Sequence, residues 1–167
     1  MLTDIEKLYP KNALSNIFHK RKESKSIAFS VRFFEEDNDG NLAVSKEIQS
    51  LLSSFEERFK NKKNLNIYYI STLTKEPIIA TLSGYGKVTE VTVENGYTNT
   101  CEILSLIASS DFHFMTYSTF YTWGSIFSSL KLLKNDKGVA QEVYLSSNSA
   151  ELLPNSLVKK NIVAYYD

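Results

Sequence analysis

The chain has 167 residues, enough for one domain whose folding buries roughly 70 % of the extended chain's surface. Its 19 basic and 19 acidic residues cancel, which argues against a nucleic-acid or anionic-membrane footprint spread over the whole surface. With 43 % hydrophobic residues, among them ten Tyr and ten Phe, the chain is globular rather than disordered.

Cys101 is the single cysteine, so no internal disulfide forms and nothing resembles a zinc site; core or boundary packing is its expected role. No apolar run is long enough to span a bilayer, and neither a secretory h-region nor an N-x-S/T acceptor occurs. A cytoplasmic, reducing setting is the expectation.

Residues 1–25 read as peripheral helices. Thr3 caps a short turn with Ile5 and Leu8 inward, Pro10 interrupts it, and Leu14, Ile17 and Phe18 form a second apolar stripe. The basic run His19-Lys20-Arg21-Lys22 falls at a helix end, where cations complement the dipole. Ser26–Phe34 is the first strand, a near-continuous apolar run of the kind buried on both faces of a parallel sheet. It carries Arg32 near its end and passes into an acidic loop that begins at Glu35.

Ser45–Lys60 is the clearest helix, capped by Ser45, with Ile48, Leu51, Leu52, Phe55 and Phe59 on one stripe. Asn66–Ile70 is a strand that stops at Ser71-Thr72. Pro77 opens a short helix, Gly84-Tyr85-Gly86 makes a turn, and Lys87–Val93 is a third strand. Asn99 and Glu102 have the spacing of a capping box, and the helix behind them buries Ile103, Leu104, Ile107 and Ala108.

The stretch from Asp111 to Leu130 organises the rest. Phe112–Tyr117 has the length and aromatic content of a buried strand, and the chain then turns on Ser118-Thr119 into a helix. At 100° per residue, Phe120, Trp123, Phe127 and Leu130 share one face, and Ser118, Thr122, Ser125 and Ser129 share the other. The aromatic face is expected to be buried. A hydroxyl-lined helix N-terminus behind a strand suits an anion, because its first N–H groups lack partners in the helix and the dipole end is positive. Ser118 or Thr119 acting only as the helix cap is the structural alternative. Beyond a loop at 134–138, Gln141–Leu145 is a fifth strand, and Ile162–Tyr166 is an edge strand or packs onto a neighbour. Strand and helix alternate at least four times, which predicts an α/β fold: residues 26–167 form one Rossmann-like domain with a mainly parallel, doubly wound sheet.

The segment Tyr117-Ser118-Thr119-Phe120-Tyr121-Thr122-Trp123-Gly124-Ser125, behind the helix at Glu102 and the strand at Asp111, resembles the C-terminal motif of the GDP-fucose-dependent α1,2-fucosyltransferases. In that family an N-S-T-F-S-W-W-G/A-A pattern holds this place; here Tyr117 replaces the Asn and Thr122 the first Trp. The family strand ending H-x-R-R-G-D corresponds to Ser30-Val31-Arg32-Phe33-Phe34-Glu35, which keeps one basic position and a carboxylate.

The resemblance spans roughly Ile27–Leu130, about the C-terminal half of a family member, and implies a donor-nucleotide lobe. It implies no cofactor, with GDP-fucose as donor substrate and a glycan hydroxyl as acceptor. Arg32, Thr72, Ser118 and Thr119 would bind the donor; Arg32 and Glu35 would be catalytic. An ion pair with the acidic loop is the alternative for Arg32, and a solvated loop position the alternative for Glu35. Nucleic acid is not an expected partner. Self-association into a homo-oligomer, or docking of a partner lobe, is expected through the first helices and the aromatic C-terminus. Three readings stay open: a GDP-sugar-dependent glycosyltransferase, a noncatalytic nucleotide- or sugar-binding relative, and an interaction module.

Overall fold

A computed structural model describes residues 25–33, 45–94, 96–134, 140–147 and 162–166. Six strands, β1 (Ser26–Val31), β2 (Leu65–Ser71), β3 (Gly86–Thr92), β4 (Phe112–Met115), β5 (Glu142–Ser146) and β6 (Ile162–Tyr166), form one sheet in the order β3-β2-β1-β4-β5-β6. Every pairing is parallel. Among the described residues, four helices lie between successive strands: α1 (Lys46–Phe59), α2 (Glu76–Ser83), α3 (Tyr97–Ser109) and α4 (Thr119–Lys134). The expected doubly wound Rossmann-like fold is present, and Ile162–Tyr166 is its edge strand. The N-terminal helices expected in residues 1–25 lie almost wholly outside the described residues, as does Glu35.

Strand alternation divides the interior. Ile27, Phe29 and Val31 of β1 join Phe112 and Phe114 of β4 in a core with Ile48, Leu51, Phe55 and Phe59 of α1 and Ile78 and Leu82 of α2. Ala28 belongs to a second cluster with Ile103 and Ile107 of α3 and Tyr121 and Ile126 of α4. The first cluster is aromatic. Phe55 meets Phe29, Phe114 and Tyr85 edge-on at 5.7, 5.3 and 5.2 Å between ring centroids, and Phe114 stacks on Tyr144 at 4.2 Å. α1 follows its sequence signals: the Ser45 hydroxyl accepts from Ile48 N at 3.4 Å, and the buried stripe is the expected one, with Leu52 only partly covered. Glu142 accepts hydrogen bonds from Nε and Nη2 of Arg58 at 2.6 and 2.8 Å, tying α1 to β5 in the forked geometry that suits a guanidinium. That pairing drives the Glu142 carboxyl below its ordinary range.

The Asn99 capping box is absent. α3 starts at Tyr97 behind Gly96, and Asn99 Oδ1 instead accepts from Glu94 N at 3.0 Å, fixing the loop that leads into the helix.

α4 is rotated relative to the expectation. Trp123 is 52 % exposed, whereas Ser118, Thr122, Ser125, Ser128 and Ser129 are buried. The reason is steric. A Cβ on Gly124 would lie 2.4 Å from Ile107 Cγ2, so α4 approaches α3 through its small residues. Thr122 and Ser129 tolerate burial because their hydroxyls bond backwards along their own helix, to Ser118 O at 2.7 Å and Ser125 O at 3.2 Å. Trp123→Ala should therefore cost under about 1.5 kcal/mol, against about 3–5 for a fully buried Trp. Urea unfolding measures this, and a loss in the higher range would restore the expected orientation.

Candidate functional site

The strand order reverses between β1 and β4, and in open α/β sheets the crevice outside the carboxyl ends of such strands receives ligands. Three adjacent strands deliver the sequence candidates to this edge. Arg32 follows β1 and is exposed. Its backbone N–H donates to Thr116 Oγ1 at 2.8 Å, and Thr116 N donates to Ser30 O at 3.1 Å, so the ends of β1 and β4 are locked side by side. Ser71 pairs with Val31, placing Thr72, also exposed, at the register position beside Arg32. β4 leads through Thr116 and Tyr117 to Ser118 and the start of α4. Arg32, Thr72, Ser118 and Thr119 thus share one edge of the sheet.

The atoms at the mouth of α4 have distinct tasks. The Ser118 hydroxyl accepts from Tyr121 N at 3.4 Å, and Ser118 O accepts from Thr122 N at 3.1 Å. Ser118 is therefore the helix cap, and its side chain is buried. Thr119 is exposed and opens the first turn. A first turn presents N–H groups that its own helix cannot satisfy, here those of Thr119 and Phe120. Tyr121 crosses beneath them and donates its hydroxyl to Val31 O at 3.2 Å, closing the floor of the crevice. Burial pushes this phenol well above its ordinary pKa, so it stays a neutral donor.

Among the described residues, a carboxylate reaches this edge. Glu47, in the first turn of α1, accepts the Tyr117 N–H at 2.7 Å. Its negative charge complements both the α1 dipole and the approach to α4. Tyr166 reaches across from the edge strand, its hydroxyl donating to Met115 O at 2.7 Å, and its own acidity is suppressed first by burial and then by the nearby Glu47 charge.

Beneath α4 lies a polar triad. His113 is fully buried, with Nδ1 2.7 Å from Ser125 Oγ and Nε2 3.0 Å from Ser30 Oγ. A Ser–His pairing of this kind is a nucleophile's arrangement on other scaffolds. Here Ser30 and Ser125 are as fully buried as the histidine, which leaves no route for a substrate. Burial depresses the imidazole to about 3, so it is neutral, with one ring nitrogen donating and the other accepting. The triad fastens α4 to β1 and β4 and so fixes where the α4 N-terminus points.

Sequence reasoning missed Glu47, Thr116 and Tyr121 at this edge. Each stands at an element's end facing the reversal in strand order, and that order is set by tertiary pairing. Among the described residues no group of three or more His, Cys, Asp or Glu could hold a metal, and no helix is long and apolar enough to cross a membrane. Comparisons with protein-family models, curated proteins and solved structures find no match for this chain.

Proposed function

We propose that this domain is a sugar-nucleotide-binding lobe of the glycosyltransferase type, with GDP-fucose as the donor. The observation that carries the reading is the delivery of Thr72, Arg32 and the α4 N-terminus by three adjacent parallel strands to the edge where the strand order reverses. A diphosphate there would accept from the Thr119 and Phe120 N–H groups, the Thr119 hydroxyl and the Arg32 guanidinium, while Ser118 and the His113 triad hold the helix in place. Charge-assisted bonds of this kind contribute about 1.5–3 kcal/mol each. In a transfer reaction the same groups would stabilise the charge that develops on the leaving GDP, with Glu35 as the base taking the acceptor's proton. The resemblance of the 117–125 segment to the α1,2-fucosyltransferase motif supports the choice of donor.

The noncatalytic reading draws on Glu47. Its carboxylate stands beside the proposed diphosphate position and weakens anion binding, which suits a lobe that senses a nucleotide more than one that turns it over. Titration calorimetry with GDP and GDP-fucose separates the possibilities. The parent should bind both, and Arg32→Ala should bind at least about ten-fold more weakly, the equivalent of one charge-assisted contact. Glu47→Gln should bind about three- to ten-fold more tightly, with the gain shrinking as salt rises. Absence of binding by the parent, or equal binding by Arg32→Ala, would refute the donor site. Binding without fucose transfer or hydrolysis would select the noncatalytic reading.

A further inference from the structure

At the opposite edge of the sheet, where β2 and β3 begin, two turns border an open cleft of about 470 Å³ lined by Lys63, Asn64, Asn66, Ser83, Tyr85 and Lys87, with two glycines and Leu65 completing the wall. From this cleft we infer a second binding site, for a small multivalent oxyanion of the phosphate or phosphate-ester class, separate from the crevice at β1 and β4.

Its walls are fixed by the fold. Leu65 N donates to Tyr85 O at 3.2 Å, joining the turn before β2 to the turn before β3. Asn64 takes a left-handed backbone conformation, φ 62°, that Asn tolerates better than most residues. Gly86 has no alternative, since a Cβ there would fall 2.1 Å from Leu65 O. Asn66 and Lys87 are register partners on neighbouring strands, so an amide and an ammonium are delivered side by side.

The lining chemistry selects an anion. Lys63 and Lys87 contribute two positive charges, Asn64, Asn66 and Ser83 contribute neutral hydrogen-bonding groups, and no lining residue is acidic. The surrounding edge is also cationic. Lys62 lies 5.8 Å from the centre of the Phe59 ring, and the neighbouring Lys25 charge lowers its pKa. Arg58 is neutralised by Glu142, which leaves that carboxylate engaged away from the cleft. A volume of this size falls within the range of small-ligand clefts, and it accommodates a phosphate group with an attached organic moiety as readily as a free polyphosphate.

Sodium pyrophosphate is the probe. In ¹⁵N-resolved titrations at low ionic strength it should shift the amides of Asn64, Asn66, Gly86 and Lys87 saturably. The double variant Lys63→Ala/Lys87→Ala changes two exposed side chains and should weaken this binding by more than about ten-fold. Lys60→Ala, an exposed lysine outside the cleft, should change it by less than two-fold. A nucleoside monophosphate acting on the same amides would identify the ester as a ligand; pyrophosphate alone acting there would identify the free oxyanion. The inference is overturned if pyrophosphate does not saturate, if Lys60→Ala weakens binding as much as the double variant, or if shifts are confined to Arg32 and residues 116–120.

Discussion

Phe55→Ala is expected to destabilise the domain by about 3–5 kcal/mol, the range for removing a fully buried Phe. Phe55 has no exposed surface and is the ring around which the aromatic core is assembled, touching Phe29, Phe59, Tyr85 and Phe114. Those partners come from β1, α1, the turn before β3, and β4, so the cavity left by truncation opens between elements that are themselves held by the sheet. Collapse around it is limited, which places the cost in the upper part of the range. Since domains of this size are stable by only about 5–15 kcal/mol, the variant should lose a large share of its stability and melt roughly 10 °C lower. Urea unfolding with an unchanged m-value would confirm it. A cost below about 1 kcal/mol would mean that the four contacts do not form.

Acid should unfold the protein through His113. The ordinary imidazole value is 6.5, and burial lowers it to about 3 in the folded chain. Between those values the unfolded chain binds a proton that the folded chain refuses, so stability falls as pH drops from 6.5 towards 3. The slope is about 1.4 kcal/mol per pH unit, or roughly 3 kcal/mol by pH 4. His113→Asn, which cannot titrate, should be less stable at neutral pH because the bonds to Ser30 and Ser125 are disturbed, yet its stability should depend less on pH between 6 and 4. Measured by urea unfolding at several pH values, equal slopes for parent and variant would show that the imidazole is hydrated or already protonated. Glu142, whose carboxyl is held low chiefly by Arg58, adds to the acid loss in both proteins and cancels in the comparison.

What was legible in the sequence followed from periodicity and caps. α1 combined a Ser cap with a regular apolar stripe, and β1 and β4 were short apolar runs bounded by polar residues, so element type and approximate position were readable. Strand ends were less so. The expected first strand ran to Phe34, but hydrogen-bonded pairing stops at Val31, and Arg32 N turns to the Thr116 side chain.

The orientation of α4 was not legible for a specific reason. Amphipathic reasoning assigns hydroxyls to solvent, but Thr122 and Ser129 bond to carbonyls of their own helix and Ser125 supplies a partner for the buried His113, so these small side chains pack inward. Trp123 then faces outward with Phe127 beside it, ring centroids 5.9 Å apart. The candidate site was legible residue by residue, in Arg32, Thr72, Ser118 and Thr119, because each ends a strand or opens a helix. Their meeting on one edge depends on β1 lying between β2 and β4, which is fixed by long-range pairing. Glu47 was legible only as a first-turn acid of α1; its contact with Tyr117 spans 70 residues of sequence.

The most direct test of the donor site is a ¹⁵N-resolved titration of the domain with GDP, reading backbone amides across both edges of the sheet. A donor site at this edge gives saturable shifts, largest at Arg32 and at Tyr117, Thr119 and Phe120, with the Tyr117 amide also reporting any displacement of Glu47. An absence of saturable shifts, or shifts found only around Asn64, Asn66 and Gly86 at the opposite edge, would contradict it.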